Sequence, residues 1–226
     1  MSILSASSFQ EFLIYLCTKL LIIFAILPVH EYAHAYAAKK MGDNTALMHG
    51  RLTLNPLKHI DPIGAIFILL VGFGWAKPVP INPRNFRDVK KGSALVAFAG
   101  PFSNLICATI GALLYRVVMN VYFQTLSEVW LYMLMALSLF IQINISLAVF
   151  NLIPIPPLDG SHILFSFAPY KVISFMHRYQ QILYYGMIIM LAAGILSGPF
   201  STVVGWIYEG LINIFFWVDK LFLLFT

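Results

Sequence analysis

Charge is what this sequence lacks most. Of its 226 residues only 10% are Asp, Glu, Lys or Arg and 60% are hydrophobic, against about 25% and 45–50% in a soluble globular chain. So little polar surface cannot coat a water-soluble body of this size, and the same figures exclude a disordered segment, a collagen and a coiled coil. Cysteine is almost missing: Cys17 and Cys107, each inside an apolar run, provide neither a disulfide framework nor a thiolate metal cluster. Acidic residues are fewer than basic ones, 9 against 14. The cations gather in short stretches beside long apolar segments, however, so the excess points to lipid headgroups and not to nucleic acid.

Hydrophobic length is what the chain has in abundance. A bilayer core about 30 Å thick takes about 20 apolar residues as helix. Five stretches meet that length: 12–38, 93–118, 129–153, 182–200 and 203–225, the last despite Glu209, Asp219 and Lys220. The N-terminal stretch follows no basic n-region and carries ionisable residues, so it reads as a retained span and not as a signal peptide. A sixth stretch, 62–76, is short and interrupted by Gly64, Gly72 and Gly74, the pattern of a re-entrant or interfacial piece. The flanking charges decide its course. Lys39, Lys40, Arg51 and Lys58 precede it, and Lys77, Arg84, Arg87, Lys90 and Lys91 follow it; only a segment that dips in and returns keeps all of them on the cytoplasmic side. The expectation is an all-α polytopic membrane protein of about five to six transmembrane helices, with a short re-entrant or β-like segment after the first. The first span then runs inward, the 182–200 span outward and the last span inward, which puts Lys171, Arg178 and Lys220 inside and leaves Arg116 as an exception. Residues 1–226 read as one integral-membrane domain, with a catalytic core over about 10–165 and accessory helices over about 182–225.

The chemistry lies in the first span, which contains His30-Glu31-Tyr32-Ala33-His34. Two histidines four apart share one helix face and can grip one zinc ion, and the glutamate beside the first ligand is placed to act as base toward water at the metal. With six histidines in the chain the pattern arises by chance in only about a few chains per thousand. At hydrocarbon depth each ionisable group costs about 2.5–3.5 kcal/mol or more unless paired. A catalytic zinc needs a third protein ligand and an open position. Asp159 is the best donor, because Pro154, Pro156 and Pro157 just before it must break the helix and expose backbone that has to line a site. His30 and Asp159 reach one depth only if 62–76 re-enters, so charge pattern and ligand geometry select the same topology. His49, His59, His162 and His177 read as surface residues, with His162 a possible accessory three positions past Asp159.

These residues resemble the site-2 protease family of intramembrane zinc metalloproteases, peptidase family M50. The resemblance rests on His30 to His34 and on the run Asn151 to Gly160. It is supported by Gly100-Pro101-Phe102-Ser103-Asn104 and by the stretches Gly50 to Pro56 and Gly74 to Pro83, which are similar to the small branch lacking PDZ and CBS domains. The resemblance implies one Zn2+ per chain held by His30, His34 and Asp159, with Glu31 as catalytic base in a zinc-dependent endopeptidase. Ser161 stands where many members have a second glycine.

Two polar residues carry open readings. Asn104 and Asn151 either hold the substrate backbone or stabilise the oxyanion, or else make helix-to-helix hydrogen bonds. The region from Gly50 to Asn82 is either a small β element that accepts substrate by strand addition or a basic loop on anionic lipid. The expected partners are the bilayer and a single-span membrane substrate, such as an anti-sigma factor or a membrane-bound transcription factor precursor, in a bacterial cell membrane with the active site toward the cytoplasm. A metal-ion transporter and an inactive helix-binding relative are the rival readings. The intact His-Glu-x-x-His order speaks against both.

Overall fold

The computed structural model describes residues 9–70, 74–195 and 197–223. Helices dominate, as they must where lipid offers backbone groups no partner and each segment has to satisfy its own. The first rod joins α1 (Phe9–Leu21), a π-helical turn (Ile22–Ile26) and α2 (Leu27–Met41). Pro28 explains the turn. It cannot donate four residues back and its ring crowds that carbonyl, so the ladder widens, and the N–H of Leu27 reaches the carbonyl of Ile22. The rod stops at Gly42, whose φ of 111° and N–H bonds to the Ala38 and Lys39 carbonyls close the helix end.

A short α3 (Thr45–Met48) and α4 (Pro62–Leu70) precede the long α5 (Val89–Thr125) and α6 (Glu128–Asn151). Then come α7 (Asp159–Phe167), α8 (Tyr170–Arg178), α9 (Gln180–Ala192), α10 (Ser197–Ile214) and α11 (Trp217–Leu223). Helix α5 is the axis of the bundle, packed against α2, α6, α7 and α10. Its small residues allow the close approach: Ala108 and Ala112 meet Ile141 and Ile145 of α6 and Val204 of α10, and a Cβ on Gly111 would lie 2.9 Å from Ile141.

The all-α polytopic architecture agrees with the sequence, and three details do not. First, four helices among the described residues are long and apolar enough to cross a bilayer: Phe12–Met41, Val89–Thr125, Glu128–Asn151 and Ser197–Phe222. The 182–200 stretch is not one helix. Helix α9 has 13 residues, about 20 Å, and the chain then turns at Gly194 with φ 73°.

Second, the last span runs opposite to its expected direction. Val204 packs beside Ala108 and Ala112, the carbonyl of Ile212 accepts from Arg116, and Asp219 meets Arg116 and Asn120. Helix α10 is therefore parallel to α5, and the connection 152–196 leaves and rejoins the bundle at the same end. Lys220 lies at the end opposite to Lys171 and Arg178. The expected last span, 203–225, begins earlier, at Ser197, and its residues 224–225 fall outside the described residues.

Third, no strand forms among the described residues. The β-like expectation reduces to one antiparallel bridge between Ile60 and Ala76, extended by Lys77 N–H donating to the His59 carbonyl at 2.8 Å. That bridge nevertheless fixes the topology. With its two ends paired, the segment cannot cross the bilayer and must re-enter. The hairpin is tight: a Cβ on Gly64 would strike the Trp75 carbonyl, and one on Gly74 the Gly64 carbonyl. Residues 71–73, with the expected break at Gly72, fall outside the described residues.

Candidate metal centre

Helix α2 presents His30 and His34 from adjacent turns of one face, their rings edge to face at 4.7 Å. Each imidazole is held from behind by α5. His34 Nδ1 donates to the Val96 carbonyl at 2.7 Å, and His30 Nδ1 to Asn104 Oδ1 at 3.1 Å. With a proton on Nδ1, each neutral ring turns a lone pair on Nε2 toward the other. The two Nε2 atoms are 3.0 Å apart, and Asp159 Oδ2 lies 3.3 Å from both.

Three electron-pair donors therefore converge where no proton is shared. Asp159 Oδ2 is buried without a hydrogen-bond donor, an arrangement that costs free energy unless a cation completes it. A tetrahedral zinc with ligands at about 2.0–2.1 Å sets its donor atoms about 3.3 Å apart, so these residues fit that ion.

Space for this cluster depends on Gly100. A Cβ there would collide with both rings, lying 2.6 Å from Cε1 of His30. The third donor arrives from the proline-broken segment. Helix α6 ends at Asn151, the chain turns through Leu158, and Asp159 opens α7. A Cβ on Gly160 would strike the Leu152 carbonyl. Ser161, in place of a second glycine, is accommodated: its Oγ donates to the Leu158 carbonyl at 2.7 Å.

Glu31 lines a cleft of about 430 Å³ together with His30, His34, Asp159 and His162. Its Oε2 accepts the N–H of Val79 at 3.0 Å, the only N–H in the run Pro78-Val79-Pro80. That extended segment is braced on both sides. Arg51 Nη2 donates to the Lys77 carbonyl at 2.6 Å, and Asp43 accepts from Asn82 N–H at 2.7 Å and from Asn85 Nδ2 at 2.8 Å.

Of the residues singled out in the sequence, His30, Glu31, His34 and Asp159 come together. Asn104 joins them as the partner of His30, not at an open substrate position. Asn151 does not line the cleft; its Nδ2 donates to the Leu147 carbonyl of its own helix. His59, expected at the surface, is 1% exposed and binds the Thr53 carbonyl at 2.7 Å. Arg51 and Val79 were read only as parts of the strand-like 50–82 region and Asp43 was not singled out; no local pattern marks the contacts Arg51–Lys77, Val79–Glu31 and Asp43–Asn82, which span 26 to 48 positions.

A family model described as peptidase family M50 matches residues 117–194, the part that carries Asp159. YwhC of Bacillus subtilis, named as a zinc metalloprotease, is 43% identical over 193 residues, covering 85% of this chain and 84% of the relative. The chain belongs to peptidase family M50. Rip2 of Mycolicibacterium smegmatis, also named as a zinc metalloprotease, is 32% identical over 139 residues, 59% of this chain and 51% of the relative. Rip2 of Mycobacterium tuberculosis is 28% identical over 188 residues, 81% and 70% of the two chains. No solved structure matches. This M50 member is thus a zinc metalloendopeptidase of the multi-pass membrane type, and its His-His-Asp group, with both histidines buried, matches the donor chemistry of one zinc ion.

Proposed function

We propose that His30, His34 and Asp159 hold the zinc ion, that Glu31 is the catalytic base, and that the enzyme cuts a single-span membrane protein within or beside its transmembrane helix on the cytoplasmic side of a bacterial membrane. The observation that carries this reading is the convergence of His30 Nε2, His34 Nε2 and Asp159 Oδ2 beside a cleft that Glu31 also lines. Zinc bound there supplies Lewis acidity, activating water and sharing the charge that develops on the scissile carbonyl.

The chain's own residues supply the rest. Val79 N–H engages one oxygen of Glu31, which leaves the other to take a proton and return it to the leaving amine. Asn104 and the Val96 carbonyl keep both imidazoles in the tautomer that ligation requires. The cytoplasmic assignment rests on charge. Nine cationic side chains, Lys39, Lys40, Arg51, Lys58, Lys77, Arg84, Arg87, Lys90 and Lys91, lie in the last turn of α2, between α2 and α5, or in the first turn of α5, at the metal end of the bundle. The substrate class, such as an anti-sigma factor or a membrane-bound transcription factor precursor, follows from the resemblance to site-2 proteases. The region 1–226 serves as one domain in this reading.

The deciding experiment uses the Glu31→Gln variant. It should keep its zinc, lose cleavage and retain uncut single-span proteins on purification. A variant that still cuts, or a wild-type preparation free of zinc, overturns the assignment. Zinc uptake into proteoliposomes by Glu31→Gln would establish the transporter instead.

A further inference from the structure

We infer that α8 is a surface-seated helix that binds anionic lipid headgroups beside the metal end of the bundle. The inference rests on the chain's membrane-spanning character and not on its protease chemistry. Helix α8 lies in the 152–196 connection, which leaves and rejoins the bundle at one end, so it belongs to a membrane face and not to the far side. At 100° per residue Phe175, Val172, Met176 and Ile173 fall within an arc of about 160°, and Lys171, Arg178, Ser174 and His177 take the opposite arc. Such a two-sided helix normally lays its apolar arc on the protein. Here no residue of α8 is buried: on the apolar arc Val172 and Phe175 are 38% and 56% exposed, and Ile173 and Met176 are half-buried.

The polar arc names the occupant. No Asp or Glu occurs between Asp159 and Glu209, and neither Lys171 nor Arg178 enters an ion pair among the described residues. An apolar arc that protein covers only in part, edged by cations without counter-charges, fits the acyl-headgroup boundary of an anionic leaflet. Tyr170 and Tyr179 stand at the two ends of the helix, where amphipathic rings prefer headgroup depth. The seat also reaches the active site. Phe165 of α7 packs on His177 of α8 at 4.9 Å, and α7 begins with Asp159, so lipid that anchors α8 steadies the helix that carries the third donor.

Amide hydrogen exchange of the full chain in nanodiscs tests this. Headgroup attraction of the size usual for a surface cation slows exchange about fivefold per side chain, so α8 amides should exchange about thirtyfold more slowly in phosphatidylglycerol than in phosphatidylcholine. The difference should vanish at about 1 M salt, where the Debye length is about 3 Å. The double variant Lys171→Gln/Arg178→Gln should lose the difference while exchanging as wild type does in phosphatidylcholine, which separates lost lipid binding from a lost helix. Equal exchange in the two lipids, or a lipid effect that survives the double variant, overturns the inference. So does protection that appears only in discs holding two copies, since a second chain would then cover the face.

Discussion

Two clusters of buried polar side chains hang on α5, one toward each end, and they are built in opposite ways. At the far end Arg116 is fully employed. Its Nη1 meets Asp219 Oδ2 at 2.9 Å, its Nε donates to the Ile212 carbonyl at 2.9 Å, and its guanidinium lies over the Phe216 ring. Asn120 completes the set by donating to Asp219 Oδ1 at 2.8 Å. The Ile212 carbonyl is one of those left free in the last turn of α10, a natural target for a cation. Arg116 and Asp219 answer each other's charge.

At the metal end three donors face one another with no proton between them, and the cleft opens beside them. Polarity in lipid therefore does not itself mark chemistry. What separates a staple from a site is whether the donors are satisfied by each other or are left aimed at a ligand. Arg116, an exception to the charge rule when read in sequence, is explained by the staple: it holds the end of α10 against α5.

The comparison is broken most severely at the metal end. Replacing His34 or Asp159 by Ala takes away one of the three proposed ligands, and zinc measured in the purified protein should fall from about one per chain to none, with all cleavage lost. Glu31→Gln should lower the cleavage rate about 10²–10⁴-fold at unchanged zinc; a simultaneous loss of metal would make Glu31 a ligand and not a base. At the staple, Asp219→Ala strands the Arg116 guanidinium and should cost about 3 kcal/mol in unfolding experiments while zinc content stays constant. Converting both partners to Leu should restore most of that stability. If Asp219→Ala emptied the metal site, the two clusters would not be independent.

Smaller changes sharpen the contrast. Asn104→Leu and Gly100→Ala disturb the seating of the imidazoles and should weaken zinc binding about 10–100-fold, read by chelator competition, with the staple unaffected. Asp43→Ala removes the acceptor for Asn82 and Asn85 and should cost about 1–3 kcal/mol locally. Faster amide exchange over 77–87 at full zinc occupancy would show it, and unchanged exchange would remove Asp43 from the brace behind Val79.

How much could be read in advance follows the range of each interaction. His30 and His34 lie on adjacent turns of one helix with Glu31 beside the first, so their spacing alone pointed to the ligand pair and base proposed above. Asp159 was accessible because three prolines must break a helix wherever they fall. The re-entry of 62–76 was readable from charge, since nine cations cannot be divided across a bilayer without cost, and the Ile60–Ala76 bridge agrees with it. The interruption of 182–200 was missed because apolar length outweighed the local punctuation: Gly194 and the run Ser197-Gly198-Pro199 are helix-stop and helix-start signals, and the turn at Gly194 shows that apolar length and continuous helix are different things.

The amino-acid sequence by itself determined that this chain lives in lipid, that its first span carries two histidines one turn apart with a glutamate beside the first, and that a broken backbone precedes Asp159, because composition and short-range periodicity are local properties. The tertiary structure alone decided that Gly100 makes room for the imidazoles, that Asn104 and Val96 set their tautomer, that Val79 holds Glu31, and that α10 runs alongside α5 with Asp219 on Arg116. Those are contacts between residues dozens of positions apart. Packing chooses such partners by shape and by the need to satisfy every buried polar group, and neither constraint leaves a mark at fixed spacing along the chain.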